Sequence, residues 1–136
     1  MQRFRHGSFH AFGTVNVNPQ KEIMTQNLKR GNLFSPVTKS SEEFIDVLIS
    51  GNAGANRVER IVSHGHVSPP GFWYDQSEWE FVAVLQGNAK LEFESGILEM
   101  IPGDWVIIPA HVRHRVIHTS ETPPCVWLAF FGNERD

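Results

Sequence analysis

The chain has 136 residues, 20% of them charged and 40% hydrophobic, with a formal net charge of -3. That size suits one domain with its own core, and the mild negative balance gives no footing for nucleic acid or an anionic membrane. A single cysteine, Cys125, excludes an internal disulfide and suits a reducing compartment.

Residues 1–39 are rich in Asn, Gln, Gly and Ser and keep no hydrophobic period. An irregular arm is expected there, with an edge strand through Asn32-Leu33-Phe34 as its one regular piece. His6 and His10 fall in this arm and read as solvated. No apolar run reaches the roughly 20 residues needed to span a bilayer, and no secretory apolar segment opens the chain, so a cytoplasmic protein is expected.

Ser40 followed by Glu43 spells a capping box, and Phe44, Ile45, Val47, Leu48 and Ile49 supply an apolar face that Gly51 would end. The pattern predicts one short helix, the first element of a domain running over 40–136. From Asn56 onward, short alternating segments are broken by turns every eight to twelve residues. Strands are expected near 57–63, 79–86, 89–94, 97–101, 105–109, 112–119 and 125–131. Gly87-Asn88 and Ser95-Gly96 are read as tight hairpins, and Pro102-Gly103-Asp104 as a turn. With no helical pattern between the strands, an all-β antiparallel double sheet is expected, closed enough to leave few edges. Several strands are apolar on both faces, which favours a homodimer.

Alternation within 79–86 places Glu80 on one face with Val82 and Val84, pointing inward. In 112–119 the same reading puts Val112, His114, Val116 and His118 on one face and Arg113 and Arg115 on the other, outward. A buried carboxylate is costly unless paired, hydrogen-bonded or bound to a metal. Glu80 and His114 in one cavity could therefore hold a divalent ion, or each other.

The stretch from Gly103 to His114 resembles the second motif of the cupin superfamily, G(x)5PxG(x)2H(x)3N, through Gly103, Pro109 and His114. His111 stands in place of its second glycine, and His118 in place of its asparagine. Glu80 and Gly87 match the end of the first motif, G(x)5HxH(x)3–4E(x)6G. The resemblance covers about 57–131 and implies an antiparallel double-stranded β-helix, the cupin jelly-roll barrel. The stretches 68–76 (SPPGFWYDQ) and 108–116 (IPAHVRHRV) are similar to a subgroup of small bacterial cupins with no settled activity.

The departure falls where the chemistry would be decided. The paired histidines of the first motif are replaced by Tyr74 and Gln76, or in the other register by Trp73 and Asp75. The chain's own HxH, His64-Gly65-His66, lies thirteen residues before Glu80. His64 and His66 could be ligands only if the 69–71 loop folded back. The best remaining metal set is Gln76, Glu80 and His114, with Asp75 or Tyr74 as substitutes for Gln76. Imidazole and oxygen donors of this kind suit Zn, Mn, Fe or Ni.

An aromatic group (Phe72, Trp73, Tyr74, Trp79, Trp105 and Trp127) reads either as core and dimer contact or as the wall of a small-molecule pocket. In the second case Tyr74, Gln76 and His114 supply the polar contacts, and Trp73, Asp75, Val82, Val116 and His118 complete the lining. No nucleophile elbow, phosphate loop or CxxC pair is present, and no catalytic residue is assigned.

Three readings stay open. One is a metal-dependent oxygenase, isomerase or hydrolase acting on a small molecule. A second is a metal-free binding barrel in which Glu80 and His114 are a hydrogen-bonded pair. The third is a structural homodimer.

Overall fold

The alternating segments after Asn56 become strands because each sets apolar side chains on at least one face against a neighbouring layer. The computed structural model describes residues 27–51 and 56–133. Eight strands follow one another: β1 (Phe44–Ser50), β2 (Arg57–Ser63), β3 (Trp79–Gln86), β4 (Ala89–Phe93), β5 (Gly96–Met100), β6 (Trp105–Ile108), β7 (His114–Thr119) and β8 (Cys125–Gly132). All of these strands lie within residues 32–136.

The strands form two antiparallel sheets, one ordered β1-β2-β8-β3-β6 and the other β5-β4-β7. Between the sheets lies the core, with Val82, Val84, Leu91, Met100, Trp127 and Ala129 buried in one cluster. Each of the larger aliphatic side chains withdrawn from water contributes roughly 1.5–3 kcal/mol. The alternation in β3 follows the expectation, with Glu80, Val82 and Val84 buried and Phe81 and Ala83 on the outer face. Among the described residues no helix is long and apolar enough to cross a membrane.

Three local expectations change. The helix expected from Ser40 is strand β1, and the described residues contain no helix. Ile45, Val47 and Ile49 are β-branched and fit a strand better than a helix, and β1 pairs with β2 from Phe44↔Val62 to Ser50↔Arg57. The Ser40 hydroxyl accepts from the Glu42 amide at 3.1 Å instead of capping a turn, and Glu43 accepts from Ser63 on β2.

Gly87-Asn88 is no hairpin either, because β3 and β4 belong to different sheets. It is the corner where the chain changes layer, with Gly87 at φ +74° and the Asn88 amide donating to the Ser120 hydroxyl at 3.0 Å. Finally, Asn32-Leu33-Phe34 forms a turn, closed by the Ser35 amide on the Asn32 carbonyl at 3.0 Å. The carbonyls of Leu33 and Ser35 accept from Arg60, so the segment is tied to β2 by a side chain and not by strand pairing. A hairpin joins β4 and β5 where one was expected at Ser95-Gly96, but Gly96 already pairs with Phe93 and the turn residues are Glu94-Ser95; the turn at 102–104 forms as expected.

Candidate functional site

The inner faces of the two sheets enclose a cavity of about 220 Å³. Most of its wall is apolar, from Ile61, Val82, Leu91, Ile108, Val116 and Trp127. Its polar pole is built from three places. Strand β3 supplies Glu80, 9% exposed, and the first residue of β7 supplies His114, 5% exposed. The loop before β3 adds Tyr74 and Gln76. That loop is fastened by a two-way backbone bridge, the Tyr74 amide donating to the His114 carbonyl at 2.7 Å and the His114 amide to the Tyr74 carbonyl at 3.2 Å.

The Glu80 Oε2 atom lies 3.4 Å from His114 Nε2 and accepts from Gln76 Nε2 at 3.3 Å. His114 Nδ1 donates to the Val112 carbonyl at 2.9 Å, which aims the other ring nitrogen at Glu80. Burial pulls the His114 pKa down, but the hydrogen bonds to Glu80 and to the Val112 carbonyl, with the charge of Glu80, outweigh it and leave the imidazole above its ordinary value. The Tyr74 ring stacks on the imidazole with centroids 5.4 Å apart. Its phenol is held above the usual tyrosine value by burial and then by the charges of Glu43 and Glu80.

A second polar group faces the same cavity, and the sequence reading missed it. Arg57, Glu59 and Ile61 share the inward face of β2, and Glu43 opens onto the cavity from the residue before β1. Arg57 Nε donates to Glu59 Oε1 at 3.2 Å, and its Nη1 reaches both oxygens of Glu78 at 3.0 and 2.7 Å. Trp127 Nε1 donates to the Ser63 hydroxyl at 3.1 Å, and that hydroxyl donates to Glu43. Charged residues alternating through a central strand, Arg57 then Glu59, were the signal available.

The structure brings Gln76, Glu80 and His114 together, with Tyr74, Val82 and Val116 on the same cavity. Other residues expected there lie outside it. Asp75 faces out and pairs with exposed His111 at 2.8 Å. Trp73 stands under Arg113 and Arg115, whose guanidinium carbons lie 5.3 and 4.8 Å from its ring centre.

His118 is exposed and meets Asn88 at 3.0 Å because a bulge interrupts β7. Leu91 pairs with Val116 but Lys90 with His118, and the extra residue reverses the alternation. His64 and His66 also stay away from Glu80. His66 accepts the His64 amide on Nδ1 at 2.9 Å and meets the Ser40 carbonyl through Nε2 at 2.9 Å, so both ring nitrogens are used by backbone.

A cupin domain family model matches residues 59–131. The chain belongs to the cupin family. No curated protein matches it. A Ralstonia eutropha protein described as "a putative mannose-6-phosphate isomerase" is 42% identical, covering 79% of this chain and all of its own, with a TM-score of 0.74. A cupin superfamily protein from Desulfitobacterium hafniense is 14% identical over 73% of this chain and 84% of its own, with a TM-score of 0.60. KdgF from a Halomonas species is 20% identical over 72% and 86%, with a TM-score of 0.57. The last two show a shared fold alone.

Cupins often bind metals, and the donor set here can be tested against that. Glu80 Oε2 lies 3.4 Å from the His114 nitrogen and 3.3 Å from the Gln76 amide. Two donors roughly 2.1 Å from one tetrahedral ion stand roughly 3.4 Å apart. His114 also presents the nitrogen whose ring partner is fixed by backbone, as metal-bound imidazoles do. Glu80 and His114 therefore stand at a spacing that one ion could bridge, whereas Gln76 turns its amide NH2, which is not a metal donor, toward Glu80. Among the described residues no three His, Cys, Asp or Glu side chains come together as a metal site.

Proposed function

We propose that this cupin binds a small organic molecule in its barrel cavity, anchored at the Glu80–His114 pair. The observation that carries this reading is the pair itself, a carboxylate and an imidazole in contact at 3.4 Å, both nearly buried and both facing an otherwise apolar cavity of about 220 Å³. Apolar walls supply affinity for a ligand, and a few fixed polar groups set its orientation.

Within that arrangement Gln76 holds one oxygen of Glu80, and Tyr74 covers the imidazole from the loop. A carboxylate–imidazole pair can accept and return a proton at a bound hydroxyl or carbonyl. An isomerase is among the reactions this supports, as the name of the Ralstonia relative suggests. Titration of small organic molecules with hydrogen-bonding groups, mannose among the neutral ones, tests the reading by calorimetry against His114→Ala. Binding lost in the variant supports it, and binding unaffected by the variant refutes it.

A second reading is favoured by the spacing of Glu80 and His114 and by the orientation of the His114 ring. Gln76, Glu80 and His114 would hold a divalent ion, which when bound would polarise a carbonyl or lower the pKa of a water. Elemental analysis of protein purified without a metal column decides it. Near-stoichiometric metal that is lost in Glu80→Ala and His114→Ala supports the ion, and metal retained in both rules out this set.

We also infer a homodimer. On the outer face of the larger sheet Phe81 stacks on Trp105 and touches Phe130, and Trp105 remains 61% exposed. Light scattering reads the mass directly, and a monomer with Trp105→Ser but not with the unaltered chain would place the contact there. The single buried thiol, Cys125, suits a reducing compartment such as the cytoplasm.

A further inference from the structure

We propose that the cavity selects a small organic amine and rejects ligands that carry phosphate or carboxylate. This rests on the binding reading above and narrows it to a ligand class. Three carboxylates face the cavity, Glu43, Glu59 and Glu80, against the single guanidinium of Arg57 and the imidazole of His114.

Arg57 is already committed. Its Nη1 contacts both oxygens of Glu78, its Nε donates to Glu59, and its guanidinium lies 4.1 Å over the Phe131 ring. Glu78 stands outside the cavity lining and matches this one full positive charge from behind. An entering phosphate would have to displace a carboxylate to obtain the paired hydrogen bonds that arginine normally gives it.

The carboxylates, by contrast, are only half used. Glu59 is held through Oε1 by Arg57, and Glu80 through Oε2 by Gln76 and His114. Their second oxygens have no hydrogen bond among the described residues, although both residues are more than nine-tenths buried. No fully enclosed side-chain polar atom of the described residues lacks a partner, so these free oxygens are ones that a ligand or solvent can reach. Buried carboxylate oxygens that open onto a cavity call for donors.

An ammonium group brings three donors and a positive charge to meet them.

The test is calorimetric titration of the full chain, in a buffer containing a chelator, with benzylammonium, benzyl alcohol and benzoate. These probes share a shape and differ in charge. Benzylammonium is expected to bind about tenfold or more tightly than benzoate, the effect of one charge seen through a well-screened interior. Glu59→Gln should shrink that preference about threefold or more. Glu43→Gln, at a half-buried position, provides the same reading should the first variant fold poorly. Benzoate binding as tightly as benzylammonium would overturn the charge selection while leaving the binding reading intact. Failure of all three probes at concentrations on the order of millimolar would instead sink the binding reading itself.

Discussion

Replacing His114 by alanine tests the buried pair from the side of stability. The ring makes two polar contacts, Nδ1 to the Val112 carbonyl at 2.9 Å and Nε2 to Glu80 at 3.4 Å, and packs against Tyr74 and Phe93 with centroids 5.4 and 6.0 Å away. Stranding a buried hydrogen-bonding group costs about 1–3 kcal/mol, and losing an aromatic contact about 0.5–1.5 kcal/mol. With Gln76 left to hold Glu80, the expected loss is about 2–4 kcal/mol, read as a lower urea midpoint at an unchanged slope.

The loss should depend on pH. The folded state raises the pKa of His114, so the stability from its protonated form is fully present below the ordinary value of 6.5 and disappears as pH rises through the folded value. The gap between the unaltered chain and His114→Ala is therefore wider at acidic than at alkaline pH. Glu80→Gln keeps the shape but removes the charge, and should flatten that difference. A loss under about 0.5 kcal/mol would mean that the imidazole is not buried as described. A gap that widens toward alkaline pH would refute the pairing with Glu80.

Three further outcomes are expected. Gly87→Ala should cost about 2–4 kcal/mol or prevent folding, because a Cβ at this φ of +74° would meet the Cys125 Cα and the Pro124 carbonyl at 2.9 Å; thermal melting shows it. His118→Ala, at an exposed position beyond the bulge, should change stability by less than about 0.5 kcal/mol and leave ligand affinity unchanged, and a clear loss of affinity would place His118 in the cavity after all. The Cys125 thiol is pushed up to about 12 by burial and then by the charge of Glu43, so a disulfide reagent near neutral pH should label it only as fast as the chain unfolds.

Much of the barrel was legible because strands buried on their inner face advertise themselves by alternation. In β3 the order Glu80, Phe81, Val82, Ala83, Val84 separates inward from outward side chains without ambiguity. Residues 44–49 carry apolar residues at spacings that satisfy both a helical face and a strand. The sequence pattern cannot choose between them; hydrogen bonding to β2 does. Similarly, Gly87-Asn88 has the composition of a hairpin, but β3 pairs with β6 and β8 while β4 pairs with β5 and β7. A two-residue turn and a sharp corner between layers ask the same residue types of the chain.

The site was legible where the family motifs or simple alternation reached it and obscure elsewhere. Glu80 and His114 follow from both, and Gln76 from counting back along the first motif. His118 failed because a bulge is a property of two strands in register, and β7 alone holds no record of its extra residue against β4. Arg57 and Glu59 went unnoticed because charged residues near the start of a strand read as solvent-facing, and Glu43 because it reads as the partner of Ser40 in a capping box. Burial makes them informative. A strand that carries a guanidinium and a carboxylate inward must pair them or offer them to a ligand, and Arg57 has a second carboxylate in Glu78 that frees Glu59 to do both. With Tyr74 and Gln76 at the positions where the first motif carries histidines, the donors that would gather a cation at Glu80 are fewer. The negative charge they would have shared remains open to whatever occupies the barrel, so the family departure and the Arg57 cluster bear on the same choice of ligand.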